Sequence, residues 1–481
     1  MVVSSANSLL SNTIFYHVTQ YGFTSPGNLL SFKMMRISKI LTIILLGVVV
    51  WFAGKNLVVD NWNSPADDFS SIYVAARLLA DGKAGSLYDH HPVLFELVPP
   101  GAFTDTARAI GFEGFLHPYV HIPLVAFLLR PLLSIPYDTA AVMVLLLNML
   151  SLAVSLYLMI KLFCGEFRLN WFGLAAVVLV YYYPLRYGLW LGQTSPLVLL
   201  GIVALYCLAK AGHEKTAGLL LGGIISLKIV PLLLIVFFLI KKRWVLVISC
   251  AVTLLMAGLG SVALTGWESN KAFLENVLRL SGLSLASWNN LSLDGFLLRW
   301  VIDRSFVYNW QLLQLPPAMQ VVKWCSWAGL LVLWLKLLRQ PARLKEDDRD
   351  LLDFSLTLIL MAVLPPISWS HYFIVLLFPY GVVAREVVSC KTMPYRGLIA
   401  AAVLLSYLCV SLPPTYLGIT YPLDYFGFLS DFPLLVRLPF TLKSSLGFLG
   451  AAMLLLVVVV ERVLMSRTRG QDRNSLEMTI E

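Results

Sequence analysis

The sequence predicts an all-α polytopic membrane protein with about twelve transmembrane helices and further helices beside the membrane on its external side. Three observations predict it: 58% of the 481 residues are hydrophobic, 13% are charged, and apolar runs recur along nearly the whole chain. Soluble domains average about 25% charged residues, whereas an apolar helix of roughly 20 residues crosses a bilayer core of about 30 Å. No segment has the composition of a separate soluble domain, so a single membrane domain is predicted over residues 37–465.

Charged or Pro/Gly-rich breaks separate the apolar runs and set the predicted ends of the spans. The two runs on either side of Lys228 are the shortest. The predicted spans lie near residues 38–54, 138–160, 171–187, 194–209, 216–227, 229–240, 244–264, 318–338, 351–365, 371–384, 397–412 and 444–461. Residues 1–36 and 466–481 are predicted to be flexible cytoplasmic tails.

The basic residues gather in alternate breaks, as expected when Lys and Arg are retained on the cytoplasmic side. Those breaks carry 22 of the 36 basic residues; their side of the membrane has 12 of the 27 acidic residues and a net charge of +10, while the other side carries −1. They lie at 33–39, 161–168, 210–215, 241–243, 336–349, 385–396 and 462–473. The formal charge of +9 therefore reflects membrane topology with both termini cytoplasmic, and nucleic acid is not an expected partner.

The segment 118–136 is apolar, but four prolines interrupt it and it carries Arg130. If it were a thirteenth span, every later break would change sides and the charge asymmetry would disappear. We therefore expect a re-entrant or interfacial segment. Irregular backbone of this kind is tolerated at membrane depth where protein covers it.

The six cysteines all fall in predicted spans or cytoplasmic breaks, so no disulfide framework is expected and no Cys/His metal spacing is present. The first 33 residues lack the charged-then-apolar layout of a signal peptide. They are predicted to be a tail, or sequence upstream of a start at Met34 or Met35, and the first span is predicted to be an uncleaved anchor.

Three predicted external loops are long, at 55–137, 265–317 and 413–443, and long loops are where function resides. The first loop predicts a helix that Asn63 or Ser64 caps, with Gly82 just beyond its end. Its apolar side chains recur at helical spacing and predict a helix lying on the outer membrane surface. These side chains are Phe69, Ile72, Tyr73, Ala76, Leu79 and Ala80.

Asp67 and Asp68 stand at the start of this predicted helix. Acidic residues at a helix N-terminus are favourable to the helix dipole without any chemistry. A structural role therefore competes with a catalytic one, and the two residues alone do not decide between them.

Lys228 interrupts an apolar stretch and precedes Pro231 by three residues, so two short helices are predicted to meet around its ammonium at the external surface. A lysine at a helix centre costs about 2.5 to 3.5 kcal/mol on insertion scales. Ends of broken helices often line ligand sites. The competing interpretation is a lysine that snorkels to the membrane interface.

The segment P-P-I-S-W-S-H-Y-F at 365–373 places His371 at another predicted external turn. Its imidazole can donate to a phosphate, but a histidine beside Trp369 and Tyr372 is also typical of an aromatic belt. Other polar residues are ordinary singly and share the same predicted side, namely Arg186, Gln193, Asn289, Asn290 and Ser292.

Six blocks, taken in order, resemble the family 87 glycosyltransferases, which have the membrane-embedded C-type glycosyltransferase (GT-C) fold. The resemblance extends from about residue 60 to 385, and the family includes α-1,2-mannosyltransferases that extend phosphatidylinositol mannosides. The blocks are D-F-S-S-I-Y-V-A-A-R-L-L-A-D-G-K…L-Y-D, Y-V-H-I-P-L-V-A-F-L-L-R-P-L, L-G-Q-T-S-P, S-L-K-I-V-P, N-N-L-S-L and P-P-I-S-W-S-H-Y-F.

The resemblance implies inverting transfer of a hexose, mannose above others, from a polyprenyl-phosphate donor to a lipid-linked or glycan acceptor at the external face. It implies that Asp68 is the general base, with the adjacent Asp67 as the alternative. The implied ligands of the donor phosphate are Lys228, His371 and Arg186. The residues implied to bind the sugar or the acceptor are Gln193, Asn289, Asn290, Tyr73 and Tyr119.

The sequence departs from the family pattern at Tyr119-Val120-His121-Ile122-Pro123, where Tyr-Pro-Pro is common, and at Asn-Asn-Leu-Ser, where Asn-Gln-Ser is more usual. These departures affect the expected acceptor more than the reaction class. No cofactor is expected, and no metal, although Asp67, Asp68 and Asp89 are carboxylates that a divalent ion would use.

The rival class is a lipid or sugar transporter or flippase, since many spans and intramembrane cations also suit one. Such a protein often has two related halves, and no repeat of that kind is visible in the sequence. For the enzyme, the expected location is the bacterial inner membrane, among its lipids, with the active site on the periplasmic side.

Overall fold

The computed structural model describes residues 47–91, 93–95, 98–166, 169–340, 346–389, 395–413 and 439–477. Over these ranges the regular structure is helical, and pairing of the β type is limited to three isolated bridges. Residues from Ala53 onward form one compact unit, and the described residues before it, 47–52, are helical. The predicted all-α class is confirmed for this part of the chain.

From Asp67 onward the described α-helices are named here in chain order. They are α1 (Asp67–Ala80), α2 (Ala102–Ala109), α3 (Pro123–Leu129), α4 (Tyr137–Cys164), α5 (Leu169–Val180), α6 (Tyr183–Trp190), α7 (Ser195–Lys210), α8 (Glu214–Leu227), α9 (Leu233–Ile240), α10 (Trp244–Thr265), α11 (Trp267–Ser281), α12 (Leu293–Arg299), α13 (Pro317–Arg339), α14 (Glu346–Val363), α15 (Leu377–Ser389), α16 (Arg396–Ser411), α17 (Phe440–Ser444) and α18 (Leu446–Glu477). Short 3₁₀ turns include Arg130–Ser134, Val230–Leu232 and Ser370–Leu376.

Several helices are long and apolar enough to cross a membrane, so the chain is an integral membrane protein. Among the described residues five qualify, or six if the pair at 171–190 forms one span: Tyr137–Cys164, Trp244–Thr265, Pro317–Arg339, Ser370–Val388 and Leu446–Leu464. The other predicted spans from residue 194 onward coincide with shorter helices, and most of the predicted span at 38–54 lies outside the described residues. The count of twelve stays a prediction.

The predicted span at 171–187 is two helices, α5 and α6, bent by 68°. Pro184 stands in the first turn of α6, where its missing N–H costs nothing, whereas in the interior of one continuous helix its ring would clash with the carbonyl group four residues before it. The helix therefore stops at Val180 and restarts at Tyr183. The bend brings α6 against the turn Ser370–Leu376.

The predicted break around Lys228 is confirmed. Lys228 has extended backbone angles at the end of α8, and Pro231 lies in the 3₁₀ turn that follows. Glycines on α8 bring it close to α10, because a side chain at Gly218 would collide with the Leu246 carbonyl oxygen. The close packing of these two helices fixes the position at which Lys228 leaves α8.

The predicted cap of α1 by Asn63 or Ser64 is wrong. The N-cap is Ala66, which has a positive φ of 51° and no side-chain cap bond. The free N–H groups of the first turn instead donate to the carbonyl oxygen of Leu191, from Asp68 at 3.0 Å and Phe69 at 3.3 Å. A carbonyl from another element can satisfy a helix end as a side chain does.

The expectation that the apolar face of α1 contacts lipid is wrong, because protein covers the helix on nearly every side. Residues from both faces are buried, including the small Ser70 and Ala75 opposite the predicted apolar face. Helices α2, α3 and α4 and the turn Arg130–Ser134 pack around it. The segment 118–136 forms α3 and that turn. The helical part is too short to count among the helices that could cross a membrane, so it is not a thirteenth span.

A buried ion cluster joins four helices. Asp353 on α14 accepts from Lys241, beyond α9, and from Arg462 on α18, each at 2.8 Å, and Arg462 also donates to the Leu337 carbonyl of α13. Buried charges persist when they are paired in this way. Residues of three of the breaks predicted to be cytoplasmic therefore meet in this cluster.

Candidate active site

Polar side chains from five separate segments line one cavity. Asp68 comes from the first turn of α1, Gln193 from the turn after α6, Lys228 from the end of α8, His371 from the turn Ser370–Leu376, and His117 from the loop before α3. The other lining residues are Phe95, Pro118, Val120, His121, Tyr187, Leu191, Asn289, Trp369 and Tyr372. The cavity therefore combines a carboxylate, an ammonium group, an amide and imidazoles within an aromatic wall.

The Asp68 carboxylate is held from two sides and stays accessible. Its Oδ2 accepts a hydrogen bond from Nε2 of Gln193, and its Oδ1 lies 3.6 Å from Nε2 of His117. The Asp68 side chain is 17% exposed. A carboxylate that is oriented and still reachable has the geometry of a general base.

Gln193 connects this carboxylate to the ammonium group of Lys228. Its Oε1 accepts from Lys228 Nζ at 2.5 Å, while its amide nitrogen donates to Asp68. Only one amide orientation satisfies both partners, since an ammonium group only donates and a carboxylate only accepts. The Gln193 backbone is fixed in turn, because its carbonyl accepts from Asn148 at 2.9 Å.

The Lys228 ammonium is buried beside uncharged partners. Besides Gln193 it donates to Ser195 Oγ at 3.1 Å and lies 4.5 Å from the centre of the Tyr372 ring. Burial lowers the pKa of Lys228 to about 7, and the nearby Asp68 carboxylate opposes the shift. An anion entering the cavity would offset the cost of burying this charge.

His121 supports the backbone next to Lys228. Burial lowers the pKa of His121 to about 4, so the imidazole is neutral near pH 7. Its Nδ1 lies 2.9 Å from the Leu227 carbonyl oxygen and donates to it, because a carbonyl only accepts. The contact fixes the residue immediately before Lys228.

His371 is buried, and neither of its ring nitrogens has a hydrogen-bond partner among the described residues. Its ring packs against Tyr372 and Tyr187, with centroid distances of 4.8 and 6.5 Å. An imidazole always carries at least one N–H, and a buried donor without a partner costs about 1–3 kcal/mol. This histidine is therefore suited to a ligand that accepts a hydrogen bond inside the cavity.

The structure gives the adjacent residues Asp67 and Asp68 different environments. Asp67 is buried, and its Oδ1 accepts the Phe115 backbone N–H at 3.1 Å. It thereby holds the loop before α3 against α1. Asp68, one residue further along the helix, faces the cavity.

Asn289 lines the cavity, but its Oδ1 already accepts from Ser287 at 2.5 Å and from Trp310 at 3.2 Å. Arg186 is buried in α6 and is not among the residues that line the cavity. Tyr73 and Tyr119 do not line the cavity either. Their hydroxyl groups donate to the carbonyls of Ile135 and Ile122.

Asn290 is wholly buried and is not brought to the cavity. Its amide nitrogen donates to the carbonyls of Leu285 at 2.8 Å and Pro366 at 3.2 Å, and its Oδ1 accepts from the Ser368 N–H at 2.8 Å. The side chain thus binds two backbone segments together beside the site.

We expect Asn290→Ala to lower the melting temperature by several degrees, because each buried partner left unpaired costs about 1–3 kcal/mol. Thermal unfolding in detergent measures this, and the folded fraction should bind substrate as the wild type does. An unchanged melting temperature together with weakened substrate binding would contradict the structural role.

His117 is the main site residue that the sequence reasoning missed. The only available signal was its position directly before the apolar segment 118–136, in the first predicted external loop. Its contact with Asp68 depends on the fold of two segments about fifty residues apart, which no local pattern reveals.

Two comparisons with known proteins match large parts of the chain. The sequence profile described as "Glycosyltransferase family 87" matches residues 119–366, more than half of the chain. The chain is also 24% identical, over 305 residues, to a protein of Mycolicibacterium smegmatis named polyprenol-phosphate-mannose-dependent alpha-(1-2)-phosphatidylinositol mannoside mannosyltransferase; the match covers 60% of this chain and 67% of the relative. Gln193 and Lys228 lie inside the profile match, whereas Asp68 lies well before its first residue and His371 shortly after its last.

Proposed function

This chain belongs to glycosyltransferase family 87, and we propose that it transfers a hexose, most readily mannose, from a polyprenyl-phosphate donor to a lipid-linked or glycan acceptor. The observation that carries the proposal is a single cavity with an accessible carboxylate, Asp68, beside a buried ammonium group, Lys228, and an unpaired imidazole, His371. The donor named for the relative supports polyprenol-phosphate mannose as the first donor to test.

In the proposed reaction, Asp68 accepts the proton of the acceptor hydroxyl while that oxygen attacks the anomeric carbon of the donor. The bond from this carbon to the phosphate oxygen breaks, and its electron pair leaves with the phosphate. The configuration inverts because the attack is a single displacement. Asp68 must come within about 2.6–3.2 Å of the hydroxyl in the complex.

The leaving phosphate gains one negative charge as the bond breaks. Lys228 and His371 supply a cation and a hydrogen-bond donor that are already oriented and largely shielded from water, where such interactions are strongest. A phosphate is an adequate leaving group, so no acid partner is required, unlike the paired carboxylates of glycosidases. Gln193 keeps the base and the cation in a fixed relation.

The finer architecture is part of the proposal: a C-type glycosyltransferase fold with twelve spans, both ends of the chain cytoplasmic and the cavity on the periplasmic side of a bacterial inner membrane. The charge asymmetry between alternate breaks supports it. The ion cluster around Asp353, which gathers three of the basic breaks, also supports it.

The test is to reconstitute the purified protein in lipid vesicles with labelled polyprenyl-phosphate hexoses and candidate acceptors. We expect hexose to appear on an acceptor, with mannose the preferred sugar, and no transfer from a nucleotide-linked hexose. Movement of the labelled lipid between leaflets without transfer would contradict the enzyme and identify a transporter.

The pKa of Lys228 predicts a pH dependence of donor binding. The ammonium form binds the phosphate, and the fraction in this form falls as the pH rises through about 7. We expect the KM for the donor to be constant below that value and to rise above it by up to about tenfold per pH unit. Transfer rates measured at several donor concentrations between about pH 6 and 9 test this. The Lys228→Met variant should show no such rise, and an unchanged rise in that variant would contradict the assignment.

A further inference from the structure

A second cavity lies behind the wall that carries His371. In this wall the turn at 287–290 meets the turn Ser370–Leu376, and the Ser370 N–H donates to the Asn289 carbonyl at 2.8 Å. Asn289 and His371 line the catalytic cavity, whereas their chain neighbours Trp288 and Ser370 line the second one. The described residues that line the two cavities are entirely different, so the wall separates them.

Two hydrogen-bond donors in the lining of the second cavity lack partners. The indole N–H of Trp288 and the hydroxyl of Ser370 have no hydrogen-bond partner among the described residues. Both residues are buried, with exposed fractions of 7% and 2%. A buried donor without a partner is unfavourable, so the cavity favours an occupant that carries hydrogen-bond acceptors.

The surroundings of the second cavity are positively charged. The buried Lys443 belongs to its lining, together with Ser444 and Leu446. Between these last two stands Ser445, which accepts from Nε of the buried Arg299 at 3.1 Å. The other bonds of this guanidinium go to backbone carbonyls, and its Nη2 has no partner in the described part of the chain. Water would satisfy the donors but would leave the guanidinium charge uncompensated, whereas an anion would do both.

We propose that the second cavity binds a phosphate group, at a site separate from the phosphate site at Lys228. Its donors come from three segments, through Trp288, Ser370 and Lys443. A phosphate group presents enough acceptor oxygens for all three, and bonds from such donors to an anion are stronger than those to a neutral acceptor.

Two sources supply such a group, namely inorganic phosphate in solution and the headgroup of an anionic lipid. The half-buried Cys409 on α16 belongs to the lining of the cavity. Leu405 and Leu408 on the same helix are exposed, as expected for side chains that face lipid. A lipid headgroup and a free phosphate would therefore use the same donors.

The test is equilibrium binding of radiolabelled inorganic phosphate to the full-length protein in phosphatidylcholine nanodiscs. The measurement uses Lys228→Met, because the catalytic cavity of this variant has lost its ammonium group. Trp288→Phe, added to it, removes the indole N–H and retains an aromatic ring. Trp300→Phe is the matched control, since Trp300 is 59% exposed and does not line the second cavity.

We expect Lys228→Met to bind one phosphate, and the added Trp288→Phe to weaken this binding by about tenfold or more, the usual effect of losing a hydrogen bond to a charged group. Ser370→Ala should have a similar effect, and Trp300→Phe none. Absence of phosphate binding in Lys228→Met would overturn the proposal. So would unchanged binding in both Trp288→Phe and Ser370→Ala, or equal losses in Trp288→Phe and Trp300→Phe.

Phosphatidylglycerol nanodiscs distinguish the two sources. If the site takes a lipid headgroup, the anionic lipid should compete with inorganic phosphate and weaken its binding to Lys228→Met. Equal phosphate binding in both kinds of nanodisc would assign the site to free phosphate. Both results support the site itself.

The second cavity should also influence the catalytic one, because Ser370 directly precedes His371. An occupant that bonds to the Ser370 hydroxyl also holds the turn that carries His371. In otherwise wild-type protein, we expect Trp288→Phe and Ser370→Ala to raise the KM for the donor by about fivefold, the lower end of typical coupling between two sites. An unchanged donor KM in both variants would overturn the coupling.

This last effect rests on the proposed function, whereas phosphate binding does not. If the wild type transfers no hexose from any prenyl phosphate yet the Lys228→Met series shows the expected pattern of phosphate binding, the second site stands and the reaction does not.

Discussion

The Asp68→Asn variant is expected to lose transfer activity by about 10²–10⁴-fold in kcat, the usual contribution of a positioned general base. Asparagine keeps the shape of the side chain and can still accept from Gln193, but it cannot take a proton from the acceptor hydroxyl. Steady-state transfer at saturating donor and acceptor measures the change. Donor binding should be little affected, because Lys228 and His371 remain.

Asp67→Asn is the matched control, since the same chemical change is made one residue away. Asp67 accepts the Phe115 N–H, and an asparagine oxygen can accept that bond as well. We expect this variant to retain most of its activity. Inactivation by Asp67→Asn with an active Asp68→Asn would show that the base is Asp67.

Lys228→Ala is expected to cause the second large effect, a fall in kcat of about 10²–10³-fold with a higher KM for the donor. The size follows from removing one oriented group that stabilises charge in the transition state. The KM for the acceptor should stay the same, because the lysine faces the leaving phosphate in the proposed reaction. Initial rates with each substrate varied in turn separate the two constants.

Lys228→Met distinguishes the loss of charge from the loss of packing, since methionine retains an unbranched apolar stem. It should lose donor use nearly as much as Lys228→Ala does. Near-normal donor use in Lys228→Met, or equal rises in the KM for donor and acceptor, would contradict the phosphate role.

The positions of the helices could be predicted from the sequence because the signal is local. A run of apolar residues ends where charge or proline makes a helix unfavourable, and so α4, α7, α10 and α13 were located closely. The bend between α5 and α6 was missed, although Pro184 is its cause. A proline can end a helix or bend it, and the outcome depends on whether tertiary contacts keep both halves helical. Those contacts cannot be read from the sequence.

The environment of α1 could not be predicted, because it depends on distant backbone. Its first turn is satisfied by the carbonyl of Leu191, more than a hundred residues away in the chain. That approach also requires Gly192, with a φ of 67°, since a side chain there would crowd Ala66 at 2.8 Å. A cap formed by another element leaves no pattern next to the helix itself.

The site itself was predicted in outline. Asp68, Gln193, Lys228 and His371 were all expected on one side, and the structure places them around one cavity. The bridging of Asp68 and Lys228 by Gln193, and the use of the Asn290 amide by backbone groups, are properties of side-chain geometry. Residue type alone does not distinguish an amide that binds sugar from one that holds a loop.

The most direct test of the central claim follows both products of one reaction from a donor of defined anomeric configuration, labelled in the hexose and in the lipid. We predict that hexose on the acceptor and free polyprenyl phosphate appear in equal amounts, that the new glycosidic bond has the inverted configuration, and that Asp68→Asn forms neither product. A retained configuration, or release of polyprenyl phosphate that does not depend on Asp68, would contradict a single displacement with Asp68 as its base.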